Sequence, residues 1–206
     1  MHVYKRQGLD VLIRALETHE ETVEIQRALG NLFRRRGELE RATQLHQNLI
    51  ARSELEPEQR RLALYELGQD YYKAGLFDRA ESLLHEVAET DEYSESAYRL
   101  LLQLYEQEKE WDNAIVAAKK LSLATGDDLN GLLAQYFCEL AEERMTAGFY
   151  QECAGFINQA LILEKNCTRA LMQSGRLRAI KNEHKLAIRE WGKIVNLHPE
   201  MLTDVV

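Results

Sequence analysis

The sequence predicts an all-α fold made from one helical unit repeated along the chain. Three observations carry that expectation. Small residues recur in a shared context at Gly8, Ala42, Ala80, Ala114, Cys153 and Ala187, in steps of 34, 38, 34, 39 and 34 residues. Only 2 of 206 residues are Pro, so long stretches are free to be helical. Hydrophobic residues make up 45% and charged residues 29%, a balance that supports a packed core rather than disorder.

Each element of the unit has a physical reason. Twelve residues before the small anchor stand Gly30, Gly68, Leu102, Ala141 and Gly175, where a small side chain lets the neighbouring helix approach. Nine residues before Ala80, Tyr71 fills the space between paired helices. Five residues before the anchors come Gly37, Gly75, Lys109, Gly148 and Asn182. Gly there can take the left-handed conformation that ends a first helix, Asn does so less readily, and Lys109 leaves the third turn open. Three residues before the anchors stand Leu39, Phe77, Trp111, Tyr150 and His184, placed to pack across the turn. Ala42, Ala80, Ala114, Cys153 and Ala187 then mark the closest contact between the two helices.

This base period of 34 residues, with its Leu-Gly, aromatic, Gly, aromatic and Ala positions, resembles the tetratricopeptide repeat. The resemblance implies a right-handed α-solenoid of antiparallel helix pairs. A partial repeat is expected over 9–20, with repeats at about 23–56, 61–94, 95–128, 134–167 and 168–201 and the start of a further helix over 201–206. The extra residues of the long steps are expected between repeats, in "SELEPEQ" (Ser53–Gln59), with Pro57 opening a helix, and in "GDDLNG" (Gly126–Gly131). Residues 1–8 form an unmatched leader, and the chain reads as a piece of a longer array.

Specific stretches go further. "LGNLFRRRGELERATQLHQNLI" (Leu29–Ile50), "LGQDYYKAGLFDRAESLLHEV" (Leu67–Val87) and "AQYFCELA" (Ala134–Ala141) closely resemble the lipopolysaccharide assembly protein B family, central repeat region. The resemblance covers about Leu9 to Val206. It implies a non-enzymatic adaptor on the cytoplasmic face of a Gram-negative inner membrane. Its partners would be the UDP-acyl-N-acetylglucosamine deacetylase of the lipid A pathway and a membrane AAA protease. Full-length members are expected to carry an N-terminal membrane helix and a C-terminal rubredoxin-like metal knuckle. This chain shows neither, so no cofactor is expected in it. A general peptide-binding cofactor for chaperones or secretion is the alternative, as is the helical scaffold of an enzyme whose catalytic domain lies outside the chain.

Other chemistries find little support. The net charge of -8 argues against a general phosphate-backbone binder. No apolar run approaches the roughly 18 residues of a membrane span, and no signal peptide is visible. His19-Glu20-Glu21-Thr22 begins like a zincin helix, but Val23 replaces the second His. Asp127, Asp128 and Asn130 hint at a calcium loop, but Leu133 stands where the sharp-turn Gly belongs. Cys138, Cys153 and Cys167 form no Cys-x-x-Cys pair and read as small buried hydrophobes.

The candidate binding residues lie on first helices, at positions that face one side of the array. They are Arg27, Asn31, Arg34 and Arg35, then Tyr65, Gln69, Tyr72 and Lys73, then Arg99 and Gln103. Arg and Tyr are favoured in protein-binding hot spots. A basic and aromatic track in an acidic chain suits an acidic segment of a partner. Arg34 and Arg35 read as exposed, so reversing both to Glu is expected to weaken binding and spare the fold. Arg27 and Asn31 resemble part of a carboxylate clamp, but Ser96 and Leu100 stand where its Lys and Arg are wanted.

Overall fold

A computed structural model describes residues 22–89 and 93–197. Among these residues there are ten α-helices and no strand: α1 (Val23–Arg36), α2 (Leu39–Ile50), α3 (Pro57–Lys73), α4 (Phe77–Ala88), α5 (Ser94–Glu108), α6 (Trp111–Thr125), α7 (Asn130–Thr146), α8 (Tyr150–Leu163), α9 (Thr168–Ile180) and α10 (His184–Leu197). The expected partial repeat at 9–20, the zincin-like His19 to Glu21 and the further helix over 201–206 lie outside the described residues. The chain divides into two compact units, 1–104 and 105–206.

One turn recurs five times. Gly37, Gly75 and Gly148 have φ of 80°, 72° and 80°, and Lys109 and Asn182 both have φ of 60°. Each ends a first helix with the same pair of bonds. In the first, Gly37 N–H donates to the Arg34 carbonyl and Glu38 N–H to the Phe33 carbonyl. In the third, Lys109 N–H donates to Glu106 and Glu110 N–H to Tyr105. This is the Schellman arrangement, which satisfies carbonyls that the helix end would otherwise orphan. The open question at Lys109 thus closes. The turn is kept, and a Lys accepts the left-handed strain that Gly avoids elsewhere.

The small positions do what their size implies. Ala42, Ala80 and Ala114 are fully buried, as is Cys153, and Ala187 is nearly so. A Cβ on Gly30 would meet His46 at 2.5 Å, one on Gly68 would meet Leu84 at 3.1 Å, and one on Gly175 would meet Trp191 at 2.1 Å. His46, Leu84 and Trp191 each follow their anchor by four residues, so one register pair supplies all three contacts. In the fourth repeat the pair is Ala141 and Ile157, joined in a cluster with Met145, Cys153 and Leu177.

The long steps fall between repeats as expected, with Pro57 opening a helix. α3 and α7 each run 17 residues, against 14 in α1 and 13 in α9. Residues 53–56 and 126–129 lie between helices, and only the end of each expected insertion lengthens the first helix that follows. Pro57 occupies the first turn of α3, where its missing N–H costs no bond. Asn130 begins α7, with its N–H donating to Asp128 Oδ1 at 2.9 Å. That aspartate, weighed above as a calcium ligand, accepts from the first residue of the helix.

Candidate functional site

In the first unit, an open depression of about 360 Å³ is lined by Arg34, Tyr65, Gln69, Tyr72, Lys73, Ser96, Arg99, Leu100 and Gln103. Helices α1, α3 and α5 contribute to it. The shared register explains the assembly: Gln69 and Gln103 stand 34 residues apart, so each occupies the same place on its own first helix. The depression brings together seven of the ten residues of the predicted track. Arg27, Asn31 and Arg35 do not line it.

The aromatic residues there are braced by neighbours. Tyr65 stacks on Tyr93 with centroids 6.4 Å apart, and Tyr72 packs at a tilt against Phe77 at 5.9 Å. The Lys73 ammonium lies 5.7 Å from the Tyr72 ring, within cation–π range. Arg99 pairs with Glu95 at 2.9 Å on an exposed face.

Beside the depression, the structure corrects the reading of the arginine track. Arg27, Asn31 and Arg34 are not free cations or donors awaiting a partner's carboxylate. They hold two carboxylates of α3. Arg27 donates from Nε to Glu66 Oε2 at 3.0 Å and from Nη2 to Oε1 at 3.2 Å. Asn31 Nδ2 donates to Glu66 Oε1 at 2.7 Å. Arg34 Nη1 donates to Asp70 Oδ1 at 2.8 Å and to the Glu66 carbonyl at 3.0 Å. Behind them His46, fully buried, faces Asp70 Oδ2 with Nδ1 at 2.5 Å, and this nitrogen carries the proton because a carboxylate only accepts. His46 Nε2 lies 3.4 Å from Glu66 Oε2 without a hydrogen bond.

Burial decides the consequence. Asp70 is 0% exposed and Glu66 5%. Such charges are tolerated only when paired, and removing one partner strands the other. Reversing Arg34 to Glu would therefore set a third carboxylate beside Asp70 and Glu66. The expectation that the Arg34/Arg35 double reversal spares the fold is overturned, because only Arg35 is exposed.

Glu66, Asp70 and His46 were absent from the predicted site, yet a signal for them existed. Ten residues before the anchors the sequence has Leu32, Asp70, Leu104, Glu143 and Leu177. Four residues after them it has His46, Leu84, Ala118, Ile157 and Trp191. An acid and an imidazole in largely apolar registers of consecutive repeats point to each other.

The second unit offers a different surface. A depression there is lined by Lys109, Trp111, Glu139, Glu142, Glu143, Thr146 and Ala147. Trp111 stacks on Tyr136 at 5.9 Å, and the Tyr136 hydroxyl donates to Glu106 at 2.5 Å. Burial and this carboxylate acceptor both hold the Tyr136 proton well above the ordinary tyrosine range. Among the described residues no group of three or more His, Cys, Asp or Glu could hold a metal ion. None of the described helices is long and apolar enough to cross a membrane.

The repeated turn, the small-residue contacts and the register shared by successive first helices define the tetratricopeptide-repeat fold. A family model described as tetratricopeptide repeat matches residues 65–127. Two crystal structures of MamA share the fold, with TM-scores of 0.53 and 0.50, at 18% and 17% identity over 90% and 89% of this chain and 97% and 93% of theirs. Within this class the chain is similar to lipopolysaccharide assembly protein B, as its sequence motifs indicated. It is 32% identical to that of Escherichia coli K12 over 200 residues, covering 97% of this chain and 51% of the relative. It is 30% identical to that of Haemophilus influenzae over 191 residues, covering 93% and 48%. The chain thus spans about half the length of the curated relatives it matches.

Proposed function

We propose that this chain is the protein-binding repeat region of a non-enzymatic adaptor in lipopolysaccharide assembly. The observation that carries this reading is the depression of the first unit, where three first helices present Tyr65, Tyr72, Gln69, Gln103, Lys73 and Arg99 to one opening. Tyrosines braced by neighbours lose little side-chain freedom on binding, and amides can pair with a partner's main chain. By resemblance, the partners are the UDP-acyl-N-acetylglucosamine deacetylase and a membrane AAA protease. The adaptor would join them at the cytoplasmic face of the inner membrane. The metal knuckle of the family would need Cys-x-x-Cys pairs, which these 206 residues lack, so metal binding forms no part of the proposal.

The partner's acidic groups would meet Lys73 rather than Arg27 and Arg34, whose charges are matched by the buried Glu66 and Asp70. The test is titration calorimetry of purified deacetylase against the whole chain. Tyr72→Ala and Lys73→Glu should each weaken binding about fivefold or more, the ~1 kcal/mol that separates energetic from bystander contacts. Arg35→Glu, outside the depression, should leave affinity unchanged. No binding by the parent, or equal affinity for all variants with helicity intact, would overturn the proposal.

A further inference from the structure

Two of the three cysteines, 29 residues apart in sequence, meet in the second unit. Cys138 lies on α7, and Cys167 sits immediately before α9. Their sulfurs are 3.9 Å apart, and both residues are buried. The two helices are the first helices of consecutive repeats, held side by side by Glu139–Arg169 and Glu142–Arg176. We propose that Cys138 and Cys167 form a reversible modification site, a dithiol that closes to a disulfide under hydroperoxide and fastens α7 to the start of α9.

The geometry is favourable. A disulfide needs sulfurs about 2.05 Å apart and β-carbons within about 4.5 Å. With the sulfurs 3.9 Å apart, closure calls for rotation of the side chains and an approach of about 1.9 Å. The roles of the two thiols also differ. Burial, with Cys167 beside it, pushes the Cys138 thiol up to about 12, so it is a poor first nucleophile near neutral pH. Cys167 lies at the end of the short Glu164–Cys167 connection between α8 and α9. Its sulfur accepts a 3.6 Å hydrogen bond from the exposed side chain of Gln135. Opening of that connection would bring Cys167 to solvent first.

The chemistry balances with hydrogen peroxide as oxidant. The Cys167 sulfur attacks one peroxide oxygen and the O–O bond breaks. This gives a Cys167 sulfenic acid and one water, with the thiol proton passing to the leaving oxygen. The Cys138 sulfur then attacks the sulfenic sulfur. The S–S bond forms, the S–O bond breaks, and the Cys138 proton leaves with the hydroxyl as a second water. Two thiols are oxidised and one peroxide is reduced. A small-molecule dithiol reverses the reaction by thiol–disulfide exchange. Cys153 supplies an internal control, since it is buried in the apolar cluster of Ala141, Met145, Ile157 and Leu177.

The experiment treats the whole chain with hydrogen peroxide, alkylates free thiols in denaturant and maps peptides without reduction. The expected result is a Cys138–Cys167 linked peptide as the main product, with Cys153 alkylated. The thermal midpoint should rise by several degrees, because the cross-link constrains the unfolded chain, and dithiothreitol should return it. Cys153→Ser should keep the shift, while Cys167→Ser should abolish it. Oxidation that falls mainly on Cys153, stops at sulfinic acid on Cys167, or joins separate molecules would overturn the proposal. So would a mapped parent chain with no linked peptide, whatever the folding of the variants.

Discussion

In the first unit, where α1 meets α3, the earlier repeat supplies the bases Arg27 and Arg34 and the later repeat the acids Glu66 and Asp70. In the second unit, where α7 meets α9, the order is reversed. Glu139 and Glu142 come from the earlier repeat, and Arg169 and Arg176 from the later one. The register is nonetheless the same. Asn31 and Glu142 each stand eleven residues before their anchors, and Glu66 and Gln173 each stand fourteen. Asn31 donates to Glu66, and Gln173 donates to Glu142. The repeat fixes which positions face each other but not which carries the acid. Opposite polarity at two junctions penalises exchanging them, since like charges would then meet.

The two junctions also differ in depth. Asp70 and His46 are wholly buried, whereas Glu142 and Arg176 are 36% and 52% exposed. The comparison therefore breaks most visibly at Asp70. Asp70→Ala leaves the half-buried Arg34 and the buried His46 without their carboxylate. A loss of about 3–5 kcal/mol is expected, as for other buried pairs cut on one side. Urea denaturation, with hydrogen exchange on α1 to α4, measures it. The double variant His46→Leu/Asp70→Leu gives Asp70 the residue common in its register and His46 the Leu that the next repeat carries there, and should cost less than Asp70→Ala alone. A loss below about 1 kcal/mol for Asp70→Ala would mean the network contributes little.

Next in size come the close contacts. Gly175→Ala drives a methyl to 2.1 Å from Trp191, whose indole N–H also donates to the Met172 carbonyl at 3.2 Å. The ring cannot shift without losing that bond, so about 1–3 kcal/mol should be lost. Gly68→Ala meets a flexible side chain instead, Leu84, with Cδ2 at 3.1 Å and Cγ at 3.3 Å. Roughly 1 kcal/mol of gained helix propensity should leave it near neutral. Thermal melts of the pair test the contrast, and equal shifts would show that the ring yields as readily as the leucine.

These contacts show how far the sequence reached. Helix pairs, turns and small positions were legible because each rests on one residue's own physics: Gly or Asn at a left-handed turn, Ala or Gly where backbones approach. The start of α3 was legible at Pro57, but that of α7 at Asn130 was less visible, since no residue there marks a helix start as Pro does. The buried charges were hidden for a different reason. Arg34 can be read as a groove residue on its own helix, and only the facing helix reveals Asp70. Pairing across repeats depends on inter-repeat register, which no single repeat encodes. The Cys138–Cys167 meeting was missed for the same reason.

A smaller effect separates the turns. Lys109 holds φ of 60° where three other turns use Gly. A left-handed L-residue costs roughly 1–2 kcal/mol, and Gly gives part of that back by loosening the unfolded chain. Lys109→Gly should therefore stabilise by up to about 1 kcal/mol, read as a rise in thermal midpoint. A fall would mean that the Lys side chain contributes more than its backbone strain costs.

The smallest effect is expected at the half-exposed junction of the second unit, and it has a pH signature. The hydrogen bond from Arg169 holds the Glu139 carboxyl below its ordinary value of 4.5, against a weaker opposing effect of burial. A carboxylate whose folded value is depressed stabilises the fold above its unfolded pKa. That contribution is lost as pH falls through the folded value. Arg169→Ala should therefore leave stability at pH 7 lower by about 0.2–1 kcal/mol, the range for exposed pairs. Parent and variant should converge as the solution is acidified below the carboxylate range. Carbon-detected NMR titration of Glu139 gives the direct reading: its midpoint should move up toward 4.5 in the variant. If it stays where it was in the parent, the depression comes from other charges, and the Arg169–Glu139 contact does not hold α9 against α7.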